Sequence, residues 1–246
     1  MRITAGLLSV ALFLSLPVTA IVRRHDRDDQ RYRDLARNQD AVVDLNLPGG
    51  AGTLIAPAWV LTAAHAAKLM KPVSHQVKIG GQPYEIVRTI LYPGGGEGKD
   101  DVALLELAKP VKDIVPIAIY ELRDEAIDSV VTFVGQGFTG DGRTGPAQRD
   151  GLRRGATNKI AAVKQNWLIF TFDAPPEGTE LEGISGPGDS GGPALMTIHG
   201  KVFVVGISSG QDSRATGKEG VYGVTEYYVR VSSYADWIKN TMNATH

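Results

Sequence analysis

The 246-residue chain has no cysteine. That excludes a cysteine nucleophile, a thiolate metal site and any disulfide staple. Charge of either sign is not in excess, since 26 Lys+Arg face 27 Asp+Glu for a formal net charge of −1. No global field therefore attracts nucleic acid or an anionic lipid surface. Histidine is scarce, with five in all, at positions 25, 65, 75, 199 and 246. His75 and His199 lack partners at metal-ligand spacing and are read as structural, so neither a metal nor an organic cofactor is expected.

Long apolar runs are also few. One occurs at the start: Arg2 precedes the uncharged AGLLSVALFLSL (5–16), and Val18, Thr19 and Ala20 offer small residues for a signal peptidase. The run is shorter than the roughly 20 residues a spanning helix requires, and RRHDRDDQRYRD (23–34) follows at once. Residues 1–20 are therefore expected to be a secretory signal peptide, and the mature protein to lie in an extracellular or periplasmic compartment without stable membrane insertion. The remaining chain suits one large domain or two closely packed halves, burying roughly 70% of its unfolded surface, enough to fold without covalent staples.

Twenty-nine glycines and thirteen prolines punctuate short apolar runs, the pattern of many brief strands. Strands are expected over 41–45, 52–55, 76–79, 84–92, 102–107, 130–134, 167–172, 202–207 and 227–231, with Gly80 and Gly81 as a hairpin turn. Their spacing argues for an all-β barrel or sandwich. A short turn of helix is expected over 62–67. A terminal helix is expected over about 233–242, with Ser233 as N-cap, Asp236 at N3, and Tyr234, Trp237, Ile238 and Thr241 on one face. The mixed charges of 23–33 read as a solvated surface stretch.

Against this background GPGDSGGPA (186–194) sets a single hydroxyl, Ser190, among residues that build turns and allow close backbone approach. TLIAPAWVLTAAHAA (53–67) places His65 just after an apolar strand, where its ring can be fixed. DVALLEL (101–107) places Asp101 at the mouth of another strand, with Asp100 a rival by one position. A buried carboxylate needs donors, and an imidazole N–H is one.

TAAH, DVAL and GDSGG follow one another in the order histidine, aspartate, serine, and the chain resembles the trypsin-like (chymotrypsin-fold) serine proteases. VGQG (134–137), VGISSG (205–210) and YYVRVSSYADWI (227–238) extend the likeness over most of the mature chain. The resemblance implies an all-β fold of two packed six-stranded antiparallel barrels with a short C-terminal helix. The first barrel would span about 21–125 and the second about 126–231. It also implies that Ser190 is the nucleophile, His65 the general base and Asp101 its orienting acid, with the amides of Gly188 and Ser190 as the oxyanion hole. Asp189 would receive the ammonium of a mature N-terminus beginning at Ile21; the departure is Arg23-Arg24, where the family usually has two glycines. Ile184, six residues before the nucleophile, with Ser208, Ser209, Gly210 and Glu226, would shape the substrate pocket. GVYG (220–223) offers a rival alignment that moves Glu226 away, and a basic or an apolar preference both stay open.

The expected function is a monomeric secreted endopeptidase acting on proteins or peptides, not nucleic acid, through an acyl-enzyme. A catalytically silent binding module on the same fold and an esterase using the same residues are the alternatives. GQGFTG (135–140) matches a dinucleotide fingerprint, but DGRTGP follows where that site needs a helix. Asn243 opens a formal glycosylation sequon.

Overall fold

Short apolar runs closed off by glycine, proline and acidic turns become strands along the whole chain. The computed structural model describes residues 21–46, 50–70, 75–96, 98–148 and 150–244; the expected signal segment lies outside them. The first half comprises β1 (Val22–Arg23), α1 (Asp29–Leu35), β2 (Val42–Asp44), β3 (Ala51–Ala56), β4 (Trp59–Thr62), α2 (Ala64–Met70), β5 (Gln76–Ile79), β6 (Gln82–Leu91) and β7 (Ala103–Leu107). The second comprises β8 (Ala118–Ile119), β9 (Val130–Gly135), β10 (Thr139–Asp141), β11 (Gly145–Gln148), β12 (Arg154–Lys159), β13 (Ala162–Lys164), β14 (Trp167–Thr171), β15 (Gly183–Ile184), β16 (Pro193–Ile198), β17 (Lys201–Asp212), β18 (Thr225–Arg230) and α3 (Ala235–Asn243).

Strands β2, β3, β4, β7, β6 and β5 close into an antiparallel barrel, sealed where Asp44 of β2 pairs with Lys78 of β5. Alternation does the sorting: β5 exposes Gln76 and Lys78 and buries Val77 and Ile79. Leu54, Val60 and Leu104 join the latter two in the barrel's core. The second lobe is an eight-stranded sheet running β12-β9-β16-β17-β18-β14-β13, with β8 alongside β17. It curls on itself, because Phe133 of β9 meets Phe170 of β14 edge to face at 4.9 Å and both pack on Tyr228 of β18. Asn158 of β12 reaches across to donate to Thr171 O at 3.0 Å. The mostly β architecture expected is present, with one closed six-stranded barrel; where a second six-stranded barrel was expected, the eight-stranded sheet forms a half-barrel.

A small third sheet, β11-β10-β1-β15, draws the N-terminal strand into the second lobe. The stretch expected to be merely solvated folds here as α1. Asp28 caps it by accepting from Gln30 N at 2.8 Å. Arg31 and Asp34 do face outward and Asp29 pairs with the buried Arg154, but Tyr32 is itself buried, accepting from Arg24 N (3.2 Å) and donating to Glu182 O (3.0 Å). The terminal helix also starts later than expected. The chain leaves β18 in a tight 3₁₀ turn over Val231–Ser233, so Tyr234 is the N-cap, without a side-chain hydrogen bond. Ser233 instead accepts from Arg123 Nη2 at 2.8 Å. One hydrophobic core joins the lobes, running from Leu54 and Leu104 of the barrel to Val204, Val229 and Ile238.

Candidate active site

Two adjacent strands bring His65 and Asp101 together. In the β4–β7 ladder Thr62 pairs with Ala103, so the residues just beyond that end of each strand are neighbours although 36 positions separate them. Asp101 Oδ1 accepts from His65 N at 2.9 Å, and Oδ2 faces His65 Nδ1 at 2.7 Å. Ser209 Oγ donates to the same Oδ2 at 2.6 Å. Burial of Asp101 pushes its carboxyl up, but the hydrogen bonds from His65 and Ser209 outweigh it and hold the group below its ordinary value. An ionised carboxylate only accepts, so the neutral imidazole carries its proton on Nδ1 and keeps a free lone pair on Nε2. Asp100 turns elsewhere, its Oδ1 accepting from the Tyr234 hydroxyl at 2.6 Å.

Ser190 sits in the turn between β15 and β16, pressed onto the first lobe. Its carbonyl accepts from Ala51 N at 2.8 Å. Gly191 adopts φ +82°, and a Cβ there would lie 2.2 Å from Thr62 Oγ1, so only glycine fits. Gly188, at φ +102°, also needs glycine's freedom. Among the described residues the amides of Gly188 and Ser190 have no internal acceptor. Between them Asp189 points inward, accepting from Gly137 N (2.7 Å), Gly186 N (2.9 Å) and Ile21 N (2.9 Å). Burial pushes its carboxyl up while these backbone donors pull it back.

The glycine-rich GQGFTG stretch finds its explanation at this turn. A Cβ on Gly135 would stand 2.1 Å from Asp189 Oδ1, and one on Gly137 2.6 Å from the carbonyl carbon of Gly188. These glycines let the end of β9 lie flat against the serine's turn. Arg24, where the resemblance led us to expect glycine, is buried with a bidentate partner in Asp26 (2.9 and 2.8 Å) and donates to Thr179 O at 2.9 Å. The segment from Ile21 to Arg24 is thus accommodated with its arginines.

His65 and Ser190 line one cavity of about 590 Å³. One wall is Ser185–Gly188, another is Ser208–Gln211, and Leu69, Trp167 and Tyr227 add apolar surface. Of the expected pocket residues, Ser208, Ser209 and Gly210 are in the lining. Ile184 is not: its pairing with Val22 across β1 and β15 turns it into a core with Val22, Phe172 and Val224, and Ser185 faces the cavity in its place. Glu226 stands behind that wall, fully buried, with Oε2 accepting from Ser185 N at 3.1 Å and Oε1 hydrogen-bonded to Ser185 Oγ. Burial pushes its carboxyl up to about 8. Gln211, Trp167, Tyr227 and Leu69 were not anticipated as pocket residues, although Gln211 follows directly on VGISSG and Tyr227 opens the recognised YYVRVSSYADWI.

Among the described residues no group of three or more His, Asp and Glu could hold a metal ion, and no helix is long and apolar enough to cross a membrane. His75 and His199 are exposed and do not line the cavity. Asn243 is exposed at the end of α3, while Thr245 of its sequon lies outside the described residues.

Comparison with known proteins gives a consistent result. The protein-family model described as Trypsin matches residues 32–238. The chain is 30% identical over 220 residues to vitamin K-dependent protein C of Rattus norvegicus, covering 76% of this chain and 44% of that protein. It is 31% identical over 223 residues to the Mus musculus protein, covering 76% and 45%. The chain thus spans somewhat under half the length of these relatives. Among solved structures it is similar to neuropsin, a serine protease expressed in the limbic system of mouse brain, with a TM-score of 0.66, 20% identity, and coverage of 83% of this chain and 95% of that one.

Proposed function

The chain belongs to the trypsin family of serine proteases, and from that premise we propose that it is a secreted endopeptidase working through an acyl-enzyme on Ser190. The observation that carries this reading is the 2.7 Å approach of His65 Nδ1 to Asp101 Oδ2, on the wall of a cavity that Ser190 shares.

A serine hydroxyl is a weak nucleophile at neutral pH. His65 Nε2 takes its proton as Oγ attacks the scissile carbonyl carbon, and the carbonyl π pair moves onto oxygen. Asp101 keeps the ring in the competent tautomer and stabilises the imidazolium. The unclaimed amides of Gly188 and Ser190 would donate to the oxyanion as it forms, and donors fixed in advance cost no reorganisation. When the intermediate collapses, the C–N bond breaks and the imidazolium returns its proton to the leaving amine. Water then repeats the sequence on the ester and frees Ser190.

Asp189 shapes the turn that aims those amides. With a chain end at Ile21, the 2.9 Å contact from Ile21 N becomes an ammonium–carboxylate pair, which offsets the burial of the carboxyl. The hydrogen bond from Thr139 Oγ1 to Ile21 O (2.8 Å) holds the same residue in place.

A fluorophosphonate probe tests the reading, since it modifies only an activated serine. Folded protein should be labelled at Ser190, and a His65→Ala variant should lose the labelling. Unlabelled folded protein, or equal labelling in His65→Ala, would point to a binding module. Ester turnover without peptide turnover would point to an esterase.

A further inference from the structure

Gln211 ends the cavity wall supplied by β17, and its carboxamide crosses to the other side. Nε2 donates to Ser185 O at 2.6 Å, and Oε1 accepts from Gly220 N at 2.9 Å. The two walls of the cavity that Ser190 lines are therefore tied together. A second link joins their hydroxyls, with Ser208 Oγ donating to Ser185 Oγ at 3.3 Å. Glu226 is not among the lining residues, and both its oxygens are engaged by Ser185. Among the described lining residues there is no lysine or arginine, and the acidic one, Glu219, is exposed.

Resting on the reading above, the position of the scissile carbon is fixed by Ser190 Oγ and the amides of Gly188 and Ser190. The side chain on the acyl side of the bond then enters between the 185–188 and 208–211 walls. We propose that Gln211, with Ser185 and Ser208, selects an uncharged hydrogen-bonding side chain there (glutamine, asparagine, serine or threonine) over lysine, arginine and large apolar residues.

A cation in this space loses hydration and meets hydroxyls and an amide in return, which does not offset the loss. The carboxyl behind the wall is already hydrogen-bonded, and a carboxylate as exposed as Glu219 is screened by water. A large apolar side chain covers the second Nε2 hydrogen of Gln211 and the remaining lone pairs of the Ser185 and Ser208 hydroxyls without giving them partners, the situation in which hydrogen-bonding sites reject analogues most strongly. A carboxamide or hydroxyl can pair with each of them.

The test is a panel of peptides identical except at the acyl-side residue, cleaved by the processed full-length protein, with fluorophosphonate labelling run alongside. The best of the four neutral polar residues should exceed arginine, lysine and phenylalanine in kcat/KM by at least about tenfold. Gln211→Gly removes the tie and should shrink that ratio. The near-isosteric Gln211→Glu, retained in case the glycine variant misfolds, should shift the panel toward arginine. Normal labelling with a panel that favours arginine, lysine or phenylalanine, shows no preference, or does not respond to either variant overturns this inference alone. Absence of labelling overturns the protease reading and this inference with it.

Discussion

Ser209 Oγ donates to Asp101 Oδ2 at 2.6 Å, the same oxygen that lies 2.7 Å from His65 Nδ1. Ser209 belongs to β17 of the second lobe and Asp101 to the mouth of β7 in the first, so the buried carboxylate is held from both sides. Ser209→Ala leaves one of its three donors missing. Chemical denaturation should show a loss of about 1.5–3 kcal/mol, the range for a hydrogen bond to a charged group. The fall in kcat/KM should stay well below the roughly 10⁴-fold expected for Asp101→Asn.

Ser190→Ala removes the proposed nucleophile but little of the cavity. It should lower kcat by on the order of 10⁴ to 10⁶-fold while leaving substrate affinity nearly intact. Steady-state turnover with equilibrium binding of an uncleaved peptide separates the two, and a loss under tenfold would contradict the assignment.

Gly135 has no room for a methyl group, because its Cβ would stand 2.1 Å from Asp189 Oδ1. Gly135→Ala must move either β9 or the Asp189 turn, at a cost of about 1–3 kcal/mol by analogy with overpacked cores. The fluorophosphonate labelling rate should fall with it, since the displaced turn carries the proposed oxyanion amides. Unchanged stability and labelling together would show that the turn yields freely.

Two buried acids give stability a definite pH dependence. Burial raises Glu226 from 4.5 to about 8 and Glu182 to about 7. Each is protonated in the folded chain at pH values where the unfolded chain has already released the proton. Their contribution is thus intact below about 4.5 and is lost as pH rises through 7 to 8. Glu226→Gln substitutes a neutral amide, so its midpoint of thermal unfolding should gain on the parent between pH 5 and pH 8. A difference that is flat or opposite in sign would exclude a neutral Glu226 in the folded protein.

The strands and the three site motifs were legible because their constraints are local. Alternation marks Val77 and Ile79 for the core, and a turn as tight as GDSGG admits little but glycine around its serine. Helix α1 was hidden because only Tyr32 turns inward among charged neighbours. Its partner Glu182 is 150 positions away, and Arg154, which grips Asp29 at 2.6 Å, is 125 away. Ile184 was misplaced because counting back from a nucleophile fixes a position but not the direction of a side chain; the β1–β15 pairing decides that. Gln211 carries no mark of its own until its two partners, 26 and 9 positions distant, close around it.

The amide of Ala51, on the barrel, holds the carbonyl of Ser190, in the turn that leads into the curled sheet, at 2.8 Å. A slip of a single ångström along that seam parts the proposed acceptor from its alcohol without breaking a strand. Mild pressure or sub-denaturing urea would then silence turnover while circular dichroism stays level, making hydrolysis itself the most sensitive gauge of how the halves are seated.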